Sequence, residues 1–191
     1  MFRFLKILFG KGIDASPEEM VAILIGQMYP GDKLFAKIAG LQVSQNNKIE
    51  PETIFAAACG CSMMALAASA HGIVNSLGGD ERFYNLCARV KHGLLELYMS
   101  EANTTIDTED LRARFENASH KIARAGIENP ASAGGASAWQ CARMAWLIID
   151  PLESHLDKNK IAVFDDFIKQ KYQTARGFFN VLRDNKMLLP P

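Results

Sequence analysis

Apolar residues recur every three to four positions through most of this chain, and turn-forming residues cut the pattern into pieces of helix length. Phe83, Cys87, Val90, Leu94 and Leu97 make one stripe at about 100° per residue, with Asn85, Arg89, His92 and Glu96 opposite. Leu111, Phe115, Ala118, Ile122 and Ala125 repeat the arrangement, and Phe164, Ile168, Ala175, Phe178 and Leu182 do so again. Strand-like alternation of useful length, internal repeats and low-complexity tracts are missing from the sequence.

Capping signals place the boundaries. Ser16-Pro17-Glu18-Glu19 predicts a capping box and a helix from Pro17 to about Tyr29, stopped by Pro30-Gly31. A short helix from Asp32 to about Ala39 follows, then a turn at Gln45-Asn46-Asn47. Glu50-Pro51-Glu52 opens a long central helix that the pattern carries to Leu77, where Gly78-Gly79 closes it. Further helices are expected from Asp80 to about Glu101, from Asp107 to Gly126, from about Ala138 to Ile149, and from about Ile161 to Asp184. Ile127 to Ser137 is small, flexible in composition and interrupted by Pro130, which makes it the longest irregular connection. The expected fold is all-α: a single-domain bundle of about six to seven helices over residues 14–191, built around a buried alanine-rich central helix, with residues 1–13 as a basic and apolar N-terminal segment.

Two segments depart from the amphipathic rule. Ile54 to Leu77 holds no Asp, Glu, Lys or Arg and is long enough to cross a bilayer, yet alanine, serine, glycine and cysteine dominate it. A core helix wrapped by neighbours is the expectation, with Ala56, Gly60, Ala67 and Ala68 allowing close approach, so that a charge at Ala67 should prevent folding. Ala138 to Ile149 also reads as apolar almost all round and therefore internal.

Charge narrows the partners. Lys plus Arg number 21 and Asp plus Glu 21, so the global positive field that wraps nucleic acid is absent and none is expected as a partner. Cys59, Cys61, Cys87 and Cys141 lie in apolar helical segments, which implies reduced core thiols and a cytoplasmic setting. The segment Met1 to Lys11 interleaves Phe2, Phe4, Leu5 and Phe9 with Arg3 and Lys6. It suits a strap over the bundle, a contact with a second copy of the chain, or peripheral attachment to the inner face of a membrane.

Candidate chemistry is sparse. His92 and Glu96 with Glu116 and His120 have the spacing of a two-histidine, two-carboxylate metal site on a helical hairpin, but the wheel turns both pairs away from the core. Cys59-Gly60-Cys61 places its thiols about 200° apart on a helix, which rules out chelation of one ion. Neither a metal nor a cofactor is expected. His71, near the end of the central helix, reads first as a buried, hydrogen-bonded residue and second as a ligand contact or general acid/base. Trp139, Arg143 and Trp146 share one face, so that the guanidinium could stack between two indoles and line a pocket for a flat or anionic ligand together with His71. Gly134 and Gly135, ahead of that helix, offer backbone N–H groups to an anion. No acid, base and nucleophile converge on one face, so the leading functional expectation is a non-enzymatic protein acting through protein–protein interaction, possible self-association included. The alternatives are a bundle holding a small apolar, aromatic or anionic ligand, and an enzyme using His71.

Overall fold

The computed structural model describes residues 16–41, 49–101, 106–128, 137–152 and 157–191. Over these the chain forms seven α-helices and one 3-10 turn, with no strand among the described residues: α1 Pro17–Met28, α2 Asp32–Ala39, α3 Pro51–Ala70, the 3-10 turn Val74–Leu77, α4 Gly79–Glu101, α5 Thr108–Glu128, α6 Ala138–Ile149 and α7 Lys158–Asp184. The capping box at α1 is formed as the sequence implies: Ser16 Oγ accepts from Glu19 N–H at 3.2 Å, and the Glu19 carboxylate accepts from Ser16 N–H at 2.9 Å.

α3 lies at the centre and serves two cores at once. Phe55, Cys59, Leu66 and Ala70 face a core built with α1, α4 and the C-terminal half of α7. Ile54, Ala57, Ala58, Cys61 and Ala65 face a second core built with α2, α6, Ile122 of α5 and the N-terminal half of α7. The two sets sit on different faces of one helix, which explains why no polar face was left in the sequence. α5 and α7 run in the same direction as α3, and α6 runs back between them: Ser137 N–H donates to Gly126 O and the Cys141 thiol to Ile122 O, so α5 and α6 form an antiparallel pair.

Small residues set the spacing of these contacts. A Cβ on Gly60 would lie 2.8 Å from Cδ1 of the fully buried Ile122 and 3.2 Å from the Ser119 backbone, so α3 and α5 approach more closely there than any side chain permits. Helix ends are tied by side chains from across the bundle. The Ser62 hydroxyl of α3 donates to Met28 O at 2.7 Å, and the Lys171 ammonium of α7 donates to the carbonyls of Gln27 and Tyr29, together closing the C-terminus of α1. Arg176 of α7 does the same for α3, donating to Ser69 O at 2.7 Å and His71 O at 3.0 Å.

Three sequence expectations need correction. The central helix stops at Ala70, not Leu77: His71 leaves helical backbone at ψ 132° and Gly72 takes φ +79°, a left-handed value that favours glycine. The uncharged run continues only as the 3-10 turn, ended by Gly78 and Gly79, both with positive φ. Secondly, Ala67 is exposed and Ala68 half-buried, so a charge at Ala67 meets water; the positions that forbid charge are Ala57, Ala58 and Cys61. Thirdly, α6 is not internal. It buries Cys141, Ala142, Ala145 and Trp146 and turns Trp139 and Arg143 outward, because Gln140 and Arg143 supply it with a polar side.

Glycine substitutions should separate close packing from helix propensity in urea denaturation. Gly26→Ala and Gly177→Ala meet nothing within 4 Å and should each stabilise by about 0.5–1 kcal/mol, whereas Gly60→Ala should destabilise by about 1 kcal/mol and Gly60→Leu by about 3 kcal/mol or more.

A second expectation concerns pH. Burial pulls the Lys171 ammonium down to about 8 from its ordinary 10.5, so between these values the unfolded chain binds the proton that the folded chain has lost, and Lys171 adds stability as pH rises. The phenol of Tyr29 and the buried thiols are pushed the other way and lower stability at alkaline pH, so the comparison must be with Lys171→Met. The stability difference between wild type and this variant should move in favour of wild type from pH 8 to 10, by at most about 1.4 kcal/mol per pH unit; a flat difference would show that the ammonium is solvated.

Candidate functional site

The proposed ligand set drawn from sequence does not assemble. Trp146 is fully buried in the second core with the Lys160 ammonium 5.2 Å from its ring centroid, while Trp139 is 38% exposed. Arg143 is exposed, and the cation–ring contacts among the described residues are made by Lys91, Lys160 and Lys171 instead. His71 is exposed too, as the residue that caps α3, rather than buried, and its carbonyl accepts from Arg176. Gly134 and Gly135, like Phe2, Phe4, Leu5, Lys6 and Phe9 at the N-terminus, lie outside the described residues.

The histidine and carboxylate pairs stand as the helical wheel predicts. His92 and Glu96 are 3.1 Å apart with side chains 63% and 68% exposed, in water. Glu116 is taken by Lys91 at 2.6 Å, and that hydrogen bond holds its carboxyl below the usual range. Among the described residues no group of three or more His, Cys, Asp or Glu side chains could hold a metal ion.

The thiols are packing residues. Cys59, Cys61 and Cys141 are buried and Cys87 partly so, and all four are free. Burial pushes Cys141 up to about 11 and Cys87 up to about 12, far from the range of a nucleophilic thiolate. With Ellman's reagent at pH 8, Cys59, Cys61 and Cys141 should react only as fast as the fold opens, and all four thiols promptly in urea; fast labelling of Cys141 in the native protein would show an open path to it.

What the structure does assemble is a cleft of about 800 Å³ between α5 and α6, floored by Thr53 and Ala56 at the start of α3. Its apolar wall comes from Ala118 and Ala125 on α5 and from Met144, Leu147 and Ile148 on α6. Four cations line it. Arg114, Lys121 and Arg124 follow one another along α5, and Arg143 enters from α6. Arg114 is bound by Glu50 at 2.5 Å and Arg124 by Glu128 at 2.5 Å, which leaves Lys121 and Arg143 without a carboxylate among the described residues. The antiparallel pairing that joins Cys141 to Ile122 puts Lys121 and Arg143 at similar heights on facing helices. Because both are exposed, their repulsion is screened and costs the fold little, but an anion placed between them would be held from two sides.

A second concavity of about 880 Å³ lies where α6 begins, over the last two turns of α3. Met64, Ala67 and Ala68 form its floor, Ala123 and Ile127 of α5 one wall, and Ile168 and Tyr172 of α7 the other. Sequence reasoning found Arg143 but gave it an aromatic role, and it missed Lys121 and the groove entirely. The spacing of Arg114, Lys121 and Arg124 on one face of α5 was a legible signal; which helix faces them was not.

No protein-family model, curated protein or solved structure matches the chain.

Proposed function

We propose that this protein is a non-catalytic binding module whose partner is an acidic, partly apolar segment of another protein, received in the cleft between α5 and α6. The observation that carries this reading is the pair Lys121 and Arg143, two cations that face one cleft from two helices and have no carboxylate partner among the described residues. Shape favours a polypeptide over a compact anion. From Arg114 to Arg124 the cations spread over about 15 Å of helix axis, which suits carboxylates spaced along a chain rather than one phosphate group. Methionine, leucine and isoleucine from α6 beside them give an apolar stripe for the same segment. Among the described residues, the one carboxylate in the lining, Glu128, is bound to Arg124, and the lining holds neither a histidine nor a thiol, which supports binding over catalysis.

The test is fluorescence anisotropy with a short helix-forming peptide bearing glutamates along one edge of a leucine face, against a version with lysine for glutamate. The acidic peptide should bind and weaken as salt is raised, and the lysine peptide should not bind. Lys121→Glu with Arg143→Glu, both at exposed positions, should leave the melting temperature nearly unchanged and weaken the acidic peptide by about tenfold or more, equivalent to 1.4 kcal/mol. Equal binding of the two peptides, or full binding by the double variant, would remove the proposal.

A further inference from the structure

We infer that the groove over the C-terminal half of α3 is a separate site for a single-chain anionic amphiphile, a medium- to long-chain carboxylate bound as a monomer. α6 runs between α5 and α7, and where its N-terminus leaves off, the same apolar slot continues across Met64, Ala67 and Ala68. These residues and His71 stand at i, i+3, i+4 and i+7, so they share one face of α3, and it is the face that the described helices leave accessible. The walls are equally apolar: Ile127 is 68% exposed, and Ile168 and Tyr172 stand opposite. From Met64 to His71 the floor runs about 10 Å along the helix axis, a length suited to an alkyl chain lying along it.

Charge decides which end holds the head. Among the described residues the groove lining includes no Asp or Glu, whereas Lys169 and Arg176 stand along the α7 edge. Lys169 is engaged by Asp165 at 2.5 Å, so the available cation is Arg176. Its guanidinium is held in place by Nη1, which donates to Ser69 O and His71 O, and its Nε and Nη2 have no partner among the described residues. A cation fixed in this way at one end of an apolar slot offers two aligned N–H donors to a carboxylate without first having to be ordered. The concave form, enclosed between α5 and α7, fits one chain better than the flat face of a bilayer.

The experiment is titration of the full chain with dansylated undecanoic acid, followed by its emission, alongside the methyl ester of the same probe. The acid should bind with a blue-shifted emission at least about tenfold more tightly than the ester, and decanoate should displace it. Ala67→Trp fills the slot from an exposed position and should abolish binding while circular dichroism and melting stay as in wild type. The double variant Lys121→Glu, Arg143→Glu should bind the probe as wild type does, which separates this groove from the α5–α6 cleft. Equal affinity for acid and ester, unchanged binding by a folded Ala67→Trp, or co-sedimentation with phosphatidylglycerol vesicles without binding of the free acid would each overturn the inference, the last by assigning the groove to a membrane surface.

Discussion

Every other feature of this bundle depends on α3 being the shared wall of two hydrophobic cores. A helix that packs on one side keeps a polar face for water; α3 has almost none along its first three turns, because Phe55 and Cys59 are needed by one core and Ile54, Ala57, Ala58 and Cys61 by the other. Small side chains satisfy both demands, since they let α5 come within contact of the backbone at Gly60 while α6 and α7 close the remaining sides. By length and composition Pro51–Ala70 would also pass for a membrane span, but most of it is buried by its own neighbours. The apolar area that lipid would otherwise cover is here covered by protein.

α7 is the second organising element, and its part is electrostatic as well as apolar. At 27 residues it is the longest helix among the described residues, with Phe164, Phe178, Phe179 and Leu182 spread over both cores. Its cations at Lys171 and Arg176 reach the open carbonyl ends of α1 and α3, where the helix dipole is negative and the carbonyls lack partners of their own. A partly buried lysine carries a desolvation cost, and Lys171 lies within reach of the Phe167 ring at 5.2 Å as well as the two carbonyls, so its aliphatic stem and its charge are both used. The ends of two helices are thereby fixed relative to a third, and the groove over the last turns of α3 lies beside one of these ties.

Both concavities border α6. α6 has 12 residues between partners of 21 and 27, so it cannot cover the whole length of the slot that α5 and α7 form on α3. Its outward side opens a cleft with α5 in which Lys121 and Arg143, without a carboxylate among the described residues, meet an apolar wall. Beyond its N-terminus the floor of α3 is left accessible. The groove over the end of α3 is thereby tied to a mismatch in element length, and the α5–α6 cleft to the polar outward side of α6.

The sequence by itself determined the local structure. Caps and breakers are short-range chemistry, so Ser16 with Glu19, Pro17, Pro51 and the aspartates and glycines between helices gave nearly every boundary, and the 3.6-residue period gave the all-α class and the burial of α3. One local signal was misread: Gly72 is a helix stop, but it lay within an uncharged run whose composition argued for continuity. Only the tertiary structure decided which faces meet. Arg143 and Trp146 share a helix face in the sequence, yet one lines a cleft and the other fills the core, because burial is set by the width of the neighbouring helices' contact and not by a residue's own periodicity. Lys121 became a candidate only when α6 was seen to bring Arg143 to its level, for the cost or use of a charge depends on what stands opposite it, and that is a property of packing between segments distant in the chain.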